Sequence, residues 1–185
     1  MSNQLRHKFI VSLDPSGAYE EGKGTTGWCV FNAADNKIYN AGALYAINYP
    51  TWFGYYDAHI AFLRKWHERY GDQMCVVIED YRVYANKAKY HVHSRMETCK
   101  LIGIIQYFCE ANHIPFYLQL AILVKNRWSN KILLHKEYIV TYKNKLMLPD
   151  KKTPVNKHTL DSIRHAVHFA TFENYVLQHL KIKEE

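Results

Sequence analysis

Apolar residues fall along this chain in short dense runs alternating with longer stretches of helical spacing, and that alternation predicts its elements. Phe9-Ile10-Val11-Ser12-Leu13 reads as a buried strand that stops at the turn-forming Asp14-Pro15-Ser16-Gly17. Gly22, Gly24 and Gly27 lie in the loop that follows. Gly27 to Asn32 and Lys37 to Tyr49 read as two more strands, turned at Ala34-Asp35-Asn36, so the chain opens with an antiparallel three-strand meander. From Thr51 to Tyr70 the spacing becomes helical, with Trp52, Tyr55, Tyr56, His59, Ile60, Leu63 and Trp66 on one stripe, and Gly71-Asp72 ends it. Met74 to Asp80 is a further buried strand that finishes on acids. A long helix is predicted over Ser94 to Asn112 and a short strand over Pro115 to Leu118. A helical stretch follows near His135 to Lys145, then a proline-bounded linker from Leu148 to Pro154. The final helix runs from an Asn156 N-cap to about Leu180. The order β-β-β-α-β-α-β-α-α predicts an α/β fold with a mixed five-stranded sheet, the meander plus two parallel strands, flanked by helices. A single domain over 1–185 is expected.

Within that frame three acids stand where strands end or a helix begins: Asp14, Glu79 and Asp161. If the strands closed by Asp14 and Glu79 are parallel neighbours, both carboxylates emerge at one end of the sheet, at a switch point. Asp14 taken alone is equally readable as the start of a turn. Glu79 is harder to explain blandly, because a carboxylate ending Val76-Val77-Ile78 must be solvated, paired or metal-bound. Asp80 points to the opposite face and reads as a salt-bridge partner. Hard cations such as Mg²⁺ take oxygen ligands, which convergent acids supply.

In the last helix, at about 100° per residue, His158, Asp161, His165 and His168 fall within an arc of roughly 80°, with Leu160, Ile163, Val167 and Ala170 opposite. One face is expected to pack and the other to bind. His158 and Asp161 are one turn apart and can meet at one site, whereas His165 and His168 read as a polar helix face. A zinc site of Asp161, His165 and His168 fits helical spacing too, but leaves Asp14 and Glu79 without a role.

Composition narrows the partner. Lys and Arg outnumber Asp and Glu by 24 to 17, a formal charge of +7, which favours a polyanion without naming one. Fifteen tyrosines and four tryptophans are interleaved with basic residues, as in Tyr81-Arg82-Val83-Tyr84 and Lys125-Asn126-Arg127-Trp128, a mix suited to phosphate contact with base stacking. The four cysteines, Cys29, Cys75, Cys99 and Cys109, form no Cys-x-x-Cys pair and suggest a reducing compartment. No signal peptide and no membrane span is expected, so the cytoplasm of a bacterial or phage-infected cell is the expected location.

Phe9-Ile-Val-Ser-Leu-Asp14-Pro15-Ser16-Gly17, Gly27-Trp28 opening a second strand, Val77-Ile78-Glu79 closing a later one and His158-Thr-Leu-Asp161-Ser-Ile-Arg-His165-Ala resemble RuvC-family Holliday-junction resolvases of the RNase H-like superfamily, particularly phage-type members. The order covers nearly the whole chain. The resemblance implies an RNase H-like fold and a homodimer that grips four-way DNA and cuts two strands symmetrically with Mg²⁺ or Mn²⁺, two ions per subunit. It places the family's first-strand Asp on Asp14, its fourth-strand Glu on Glu79 and its final acid on Asp161. The family's preceding acidic position falls on His158, a variation also found among its members, which makes His158 an expected catalytic residue, as a metal ligand or a proton carrier. Lys125 and Lys136 fall in places matching the family's basic residues. With Arg127 they are expected to contact DNA, as are Tyr81, Arg82 and Tyr84 near the junction crossover.

Two departures stand out: the loop between Asp14 and Gly27 is long and carries Glu20, Glu21 and Lys23, and Arg82 stands where the family has an aromatic. The long apolar helix is expected in the core and at a subunit interface. Other readings stay open: a flap nuclease of the same fold, a terminase-like nuclease, which the lack of a Gly-x-x-x-x-Gly-Lys-Ser/Thr loop disfavours, or a non-catalytic DNA-binding module.

Overall fold

The computed structural model describes residues 4–20, 22–81 and 96–175. Its main sheet has the order β3-β2-β1-β4-β5, formed by β1 (Phe9–Asp14), β2 (Thr25–Asn32), β3 (Lys37–Tyr45), β4 (Met74–Asp80) and β5 (Phe116–Leu120). The first three strands pair antiparallel, and β4 pairs parallel with both β1 and β5. The predicted mixed five-stranded α/β sheet is therefore present.

Strand alternation divides the core in two. Val11, Leu13, Val30, Met74, Val76 and Ile78 pack with α1 (Trp52–Tyr70) and α2 (Glu97–Ala111). Ile10, Cys29, Phe31, Cys75 and Val77 face α5 (Lys157–Phe172), together with Val124 of α3 (Ala121–Arg127) and Leu133 of α4 (Asn130–His135). The period of two then puts Asp14 and Glu79 on the α5 face, continuing the rows of Ile10 and Cys75.

Capping starts the helices where the sequence suggests. The Thr51 hydroxyl accepts from the Gly54 amide, and the Asn156 side chain accepts from the Thr159 amide. Several boundaries differ from expectation. β2 starts two residues before Gly27, and β3 ends at Tyr45, where a 3-10 turn over Ala46–Asn48 takes the chain to α1. Glu97 opens α2; the predicted start at Ser94 lies outside the described residues. The helix expected from His135 to Lys145 is instead the end of α4 followed by a hairpin, β6 (Val140–Tyr142) with β7 (Lys145–Met147). Lys143 and Asn144 form its turn with φ of 48° and 60°, a left-handed pair that matches strand twist and breaks a helix. α3 was not anticipated.

The last helix stops at Phe172 rather than near Leu180. Asn174 is fully buried there and clasps His7, accepting from the His7 amide and donating to its carbonyl. α5 also lacks the solvent-facing half expected of it, since His165 and His168 are buried as well as Ile163 and Val167. It lies across β1 and β2 so closely that a Cβ added at Gly27 would stand 2.0 Å from the carbonyl carbon of His158. Only glycine permits that approach. Gly27→Ala should therefore lower stability by about 1–3 kcal/mol, the cost of overpacking against an unyielding neighbour. Denaturant unfolding of the two proteins checks it.

Candidate metal centre

Asp14 and Glu79 follow Leu13 and Ile78, which are register partners in the parallel β1–β4 pair, so the two carboxylates leave the sheet side by side at its carboxyl end. The first turns of α5 bring Asp161 above them. Ligand oxygens of Asp14, Glu79 and Asp161 all lie within 4.8 Å of one another, the group of this kind found among the described residues. Asp14 and Asp161 are buried, and Glu79 is partly so.

Cationic groups rim this cluster. Lys125, on α3, places its ammonium 3.2 Å from Glu79 Oε1 and 3.0 Å from Asp161 Oδ2. Arg164 donates from Nη1 to Asp161 Oδ1, from Nε to the Trp128 carbonyl at 2.9 Å and from Nη2 to Asn130. His158 Nδ1 is 2.7 Å from Asp14 Oδ2, and because an ionised carboxylate only accepts, Nδ1 carries the proton in that pair. His165, fully buried, has Nε2 3.0 Å from Glu79 Oε2 and Nδ1 2.9 Å from Gln119 Oε1. The Gln119 amide in turn donates to Glu173 at 2.9 Å, and His168 Nε2 lies 3.3 Å from the same Glu173 oxygen.

Charge states follow from these contacts. Burial raises the Asp14 pKa, the His158 bond opposes the rise, and the neighbouring Glu79 and Asp161 add to it. The hydrogen bond to Asp14 is the main cause holding His158 above its ordinary value. Burial would lift Glu79, but the His165 hydrogen bond and the Lys125 charge outweigh it and leave Glu79 lowered. Lys125 is disfavoured by burial yet ends raised, through Asp161 and Glu79.

A second network pins the turn after Asp14. His59, fully buried, donates from Nδ1 to the Tyr55 carbonyl at 2.7 Å, so its Nε2 accepts from the Thr26 hydroxyl at 2.8 Å. Tyr55 donates to the Ser16 carbonyl at 2.9 Å, and the Ser16 amide reaches Thr26 Oγ1 at 3.3 Å. Gly17 meets the start of α2, where an added Cβ would be 2.2 Å from the Glu97 carbonyl carbon.

The all-oxygen set of three carboxylates suits a hard divalent ion such as Mg²⁺ or Mn²⁺, and Lys125 shows that the cluster already attracts positive charge. The zinc alternative is not assembled, because His165 and His168 are directed to Gln119, Glu79 and Glu173. Of the expected DNA contacts, Lys125 lines the centre. Arg127 is exposed nearby, its guanidinium 4.4 Å from the Phe172 ring centroid. Lys136 is remote, beside Asn36 and Lys37 at the far end of β2–β3. Tyr81 packs partly buried against the α1–α2 core, and Arg82 and Tyr84 lie outside the described residues. Sequence reasoning missed Arg164, although Asp-x-x-Arg spacing offered it, and missed Gln119, whose pairing opposite Glu79 depends on strand register.

No family model and no curated protein matches the chain. Among solved structures, RuvC of T. thermophilus in complex with a Holliday junction substrate is similar at a TM-score of 0.61 and 15% identity, covering 91% of this chain and 98% of that one. A second Thermus thermophilus RuvC structure gives 0.60 at 11% identity, over 90% and 98% of the two chains. The fold is that of RuvC. The RuvC-like, RNase H-like architecture expected from the motifs is thus present across nearly the full length of both chains.

Two outcomes follow. Lys125→Met removes the cation that competes for Glu79 and Asp161, so calorimetric titration should show Mn²⁺ binding tightened several-fold, up to about tenfold. His59, lowered to about 4 by burial, binds a proton more readily unfolded than folded between its ordinary value and that one. Its stabilising contribution is complete above pH ~6.5 and is lost as pH falls toward ~4, up to about 3 kcal/mol. Acid unfolding of His59→Gln should be correspondingly shallower in that window.

Proposed function

We propose that this chain is a structure-selective DNA endonuclease that resolves four-way junctions by divalent-metal-dependent phosphodiester hydrolysis, working as a homodimer of one domain spanning 1–185. The observation that carries the reading is the convergence of Asp14, Glu79 and Asp161 at the carboxyl end of β1 and β4, in a fold shared with a protein solved on a Holliday junction. Nearby carboxylates repel phosphate unless a cation intervenes, so a DNA surface with three of them makes sense as a metal site. Asp14, Glu79 and Asp161 would hold Mg²⁺ or Mn²⁺, two ions per subunit, with His158 joining through the nitrogen that Asp14 leaves free. Bound there, such ions make a water more acidic and neutralise charge on the leaving oxygen.

The chain's own residues do the rest. Asp14 orients His158 and keeps a proton on Nδ1, which leaves the lone pair of Nε2 available to the ion. Lys125, held in place by Glu79 and Asp161, would be free to turn toward solvent and contact substrate phosphate once those carboxylates were neutralised by an ion. Arg164 and His165, tied to Trp128, Asn130 and Gln119, stay in place and hold the carboxylates for the ion. The dimer reading draws on the α1–α2 side, where Trp52, Phe53 and Tyr107 remain exposed at 44%, 66% and 77%. No helix among the described residues is long and apolar enough to cross a membrane.

Labelled four-way junction, flap and linear duplex, each with Mg²⁺, Mn²⁺ or chelator, test this directly. Paired symmetric nicks confined to the junction are expected; cutting of every branched substrate would replace the reading with a broader branched-DNA nuclease, and binding without cutting would leave a DNA-binding module. Asp14→Asn, Glu79→Gln and Asp161→Asn should each lower the cutting rate by about two to three orders of magnitude while junction binding persists. Full activity in one of them would remove that residue from the centre.

A further inference from the structure

The hairpin between α4 and α5 has no place in the centre described above, and its geometry gives it a direction. Val140 pairs with Met147 and Tyr142 with Lys145, so the Lys143-Asn144 turn is its tip. Beyond β7 the chain turns again and runs back antiparallel to it. The Leu148 amide donates to the Thr153 carbonyl, the Val155 amide donates to the Leu146 carbonyl, each at 2.9 Å, and Met147 bridges to Pro154. Residues 153–155 therefore travel toward the tip, and Asn156 arrives level with it. At that point Asn156 donates to the Tyr45 hydroxyl at 3.0 Å, and Tyr45 is the β3 residue paired with Thr25, at the Asp14 end of the sheet. α5 starts there, with Lys157 immediately before His158. The hairpin tip thus lies at the metal end, on the β3 flank, while α3 and Lys125 occupy the β5 flank.

The second turn, over 149–152, points the other way, where Pro149 shares a cleft with Lys136 and Lys37. Asp150 is the one acid between Val140 and Lys157, and its carboxylate is consumed in that turn, accepting from the amides of Lys152 and Thr153 at 2.8 and 2.9 Å and from the Thr153 hydroxyl at 2.7 Å. At the tip, Lys143, Lys145 and Lys157 are exposed, and none forms an ion pair among the described residues. Tyr142 is 41% exposed with the Lys143 ammonium 5.4 Å from its ring centroid. Leu146, on β7, packs into the core beneath α5 and holds the hairpin to the body.

Unpaired ammonium groups on a short, anchored platform fit a regularly spaced polyanion better than a mobile acidic peptide. We propose that Lys143 and Lys145 at the hairpin tip, with Lys157, form a phosphate-binding arm that grips the backbone of a DNA duplex arm entering the metal centre from the β3 flank. This deepens the junction-endonuclease reading and rests on it. Substrate then bridges the centre between two basic supports, the hairpin on one side and Lys125 on the other.

Fluorescence anisotropy with a labelled four-way junction, in chelator and over a series of salt concentrations, separates the arm from general charge. The whole chain is compared with Lys143→Gln/Lys145→Gln and with Lys151→Gln/Lys152→Gln, which removes the same charge at the opposite turn. The tip pair should weaken binding about tenfold and reduce the salt slope by about two, one for each lost phosphate contact. The opposite pair should leave both nearly unchanged. Equal effects of the two pairs, or none from the tip pair, overturn the arm while the nuclease reading stands. Wild-type protein that binds no DNA overturns both. Lys143→Arg/Lys145→Arg keeps charge and must bind like wild type; weak binding by it would show that the tip acts through its fold rather than its charge and would overturn the proposal.

Discussion

Mutual repulsion among Asp14, Glu79 and Asp161 is the constraint around which this molecule is built. Three carboxylates with oxygens within 4.8 Å, two of them buried, do not stay together unless opposite charge is supplied. The parallel register of β1 and β4 forces two of them side by side, and the approach of α5 over Gly27 adds the third. Hence the crowd of cations: each acid has at least one basic or imidazole partner within hydrogen-bonding reach.

Those partners differ in how firmly they are held. Arg164 and His165 are anchored to other groups and have side chains 15% and 0% exposed. Lys125 stands on the short α3 helix with its side chain 35% exposed, bound among the described residues to the acids alone. The centre therefore combines fixed counter-charges that set the carboxylates' orientation with one that can leave at low structural cost. His59, Thr26 and Tyr55 do the corresponding work beneath the opposite side, using neutral hydrogen bonds to fix the turn behind Asp14.

Much of this was legible in the sequence, for identifiable reasons. Val11, Leu13, Val76 and Ile78 alternate with the rows that end in Asp14 and Glu79, so the period of two gives both the strands and the face of the acids. The spacing of His158 and Asp161 after an Asn156 cap likewise places them in the opening turns of a helix. What stayed hidden depended on contacts between distant segments. His135 to Lys145 carries helix-compatible residues, and only the left-handed Lys143-Asn144 turn makes it a hairpin. His165 and His168 have the periodicity of a solvated stripe; a sheet pressed against that stripe, with Gln119 and Glu173 waiting, is not written in local pattern. The halt of α5 at Phe172 comes from Asn174 pairing with His7, 167 residues away.

The hydrogen bond between His158 and Asp14 joins positions 144 residues apart, and Asp161 reaches Asp14 across a similar stretch of chain and Glu79 across a little over half of it. During synthesis the first four strands can emerge with Asp14 and Glu79 already in register, yet they carry two acids and no enclosing helix. The third acid and both imidazole partners arrive only with α5, after the hairpin has been laid down. Assembly of the acidic cluster is thereby tied to completion of the fold, so a partly made chain holds two of its acids without the third or the partners that gather them.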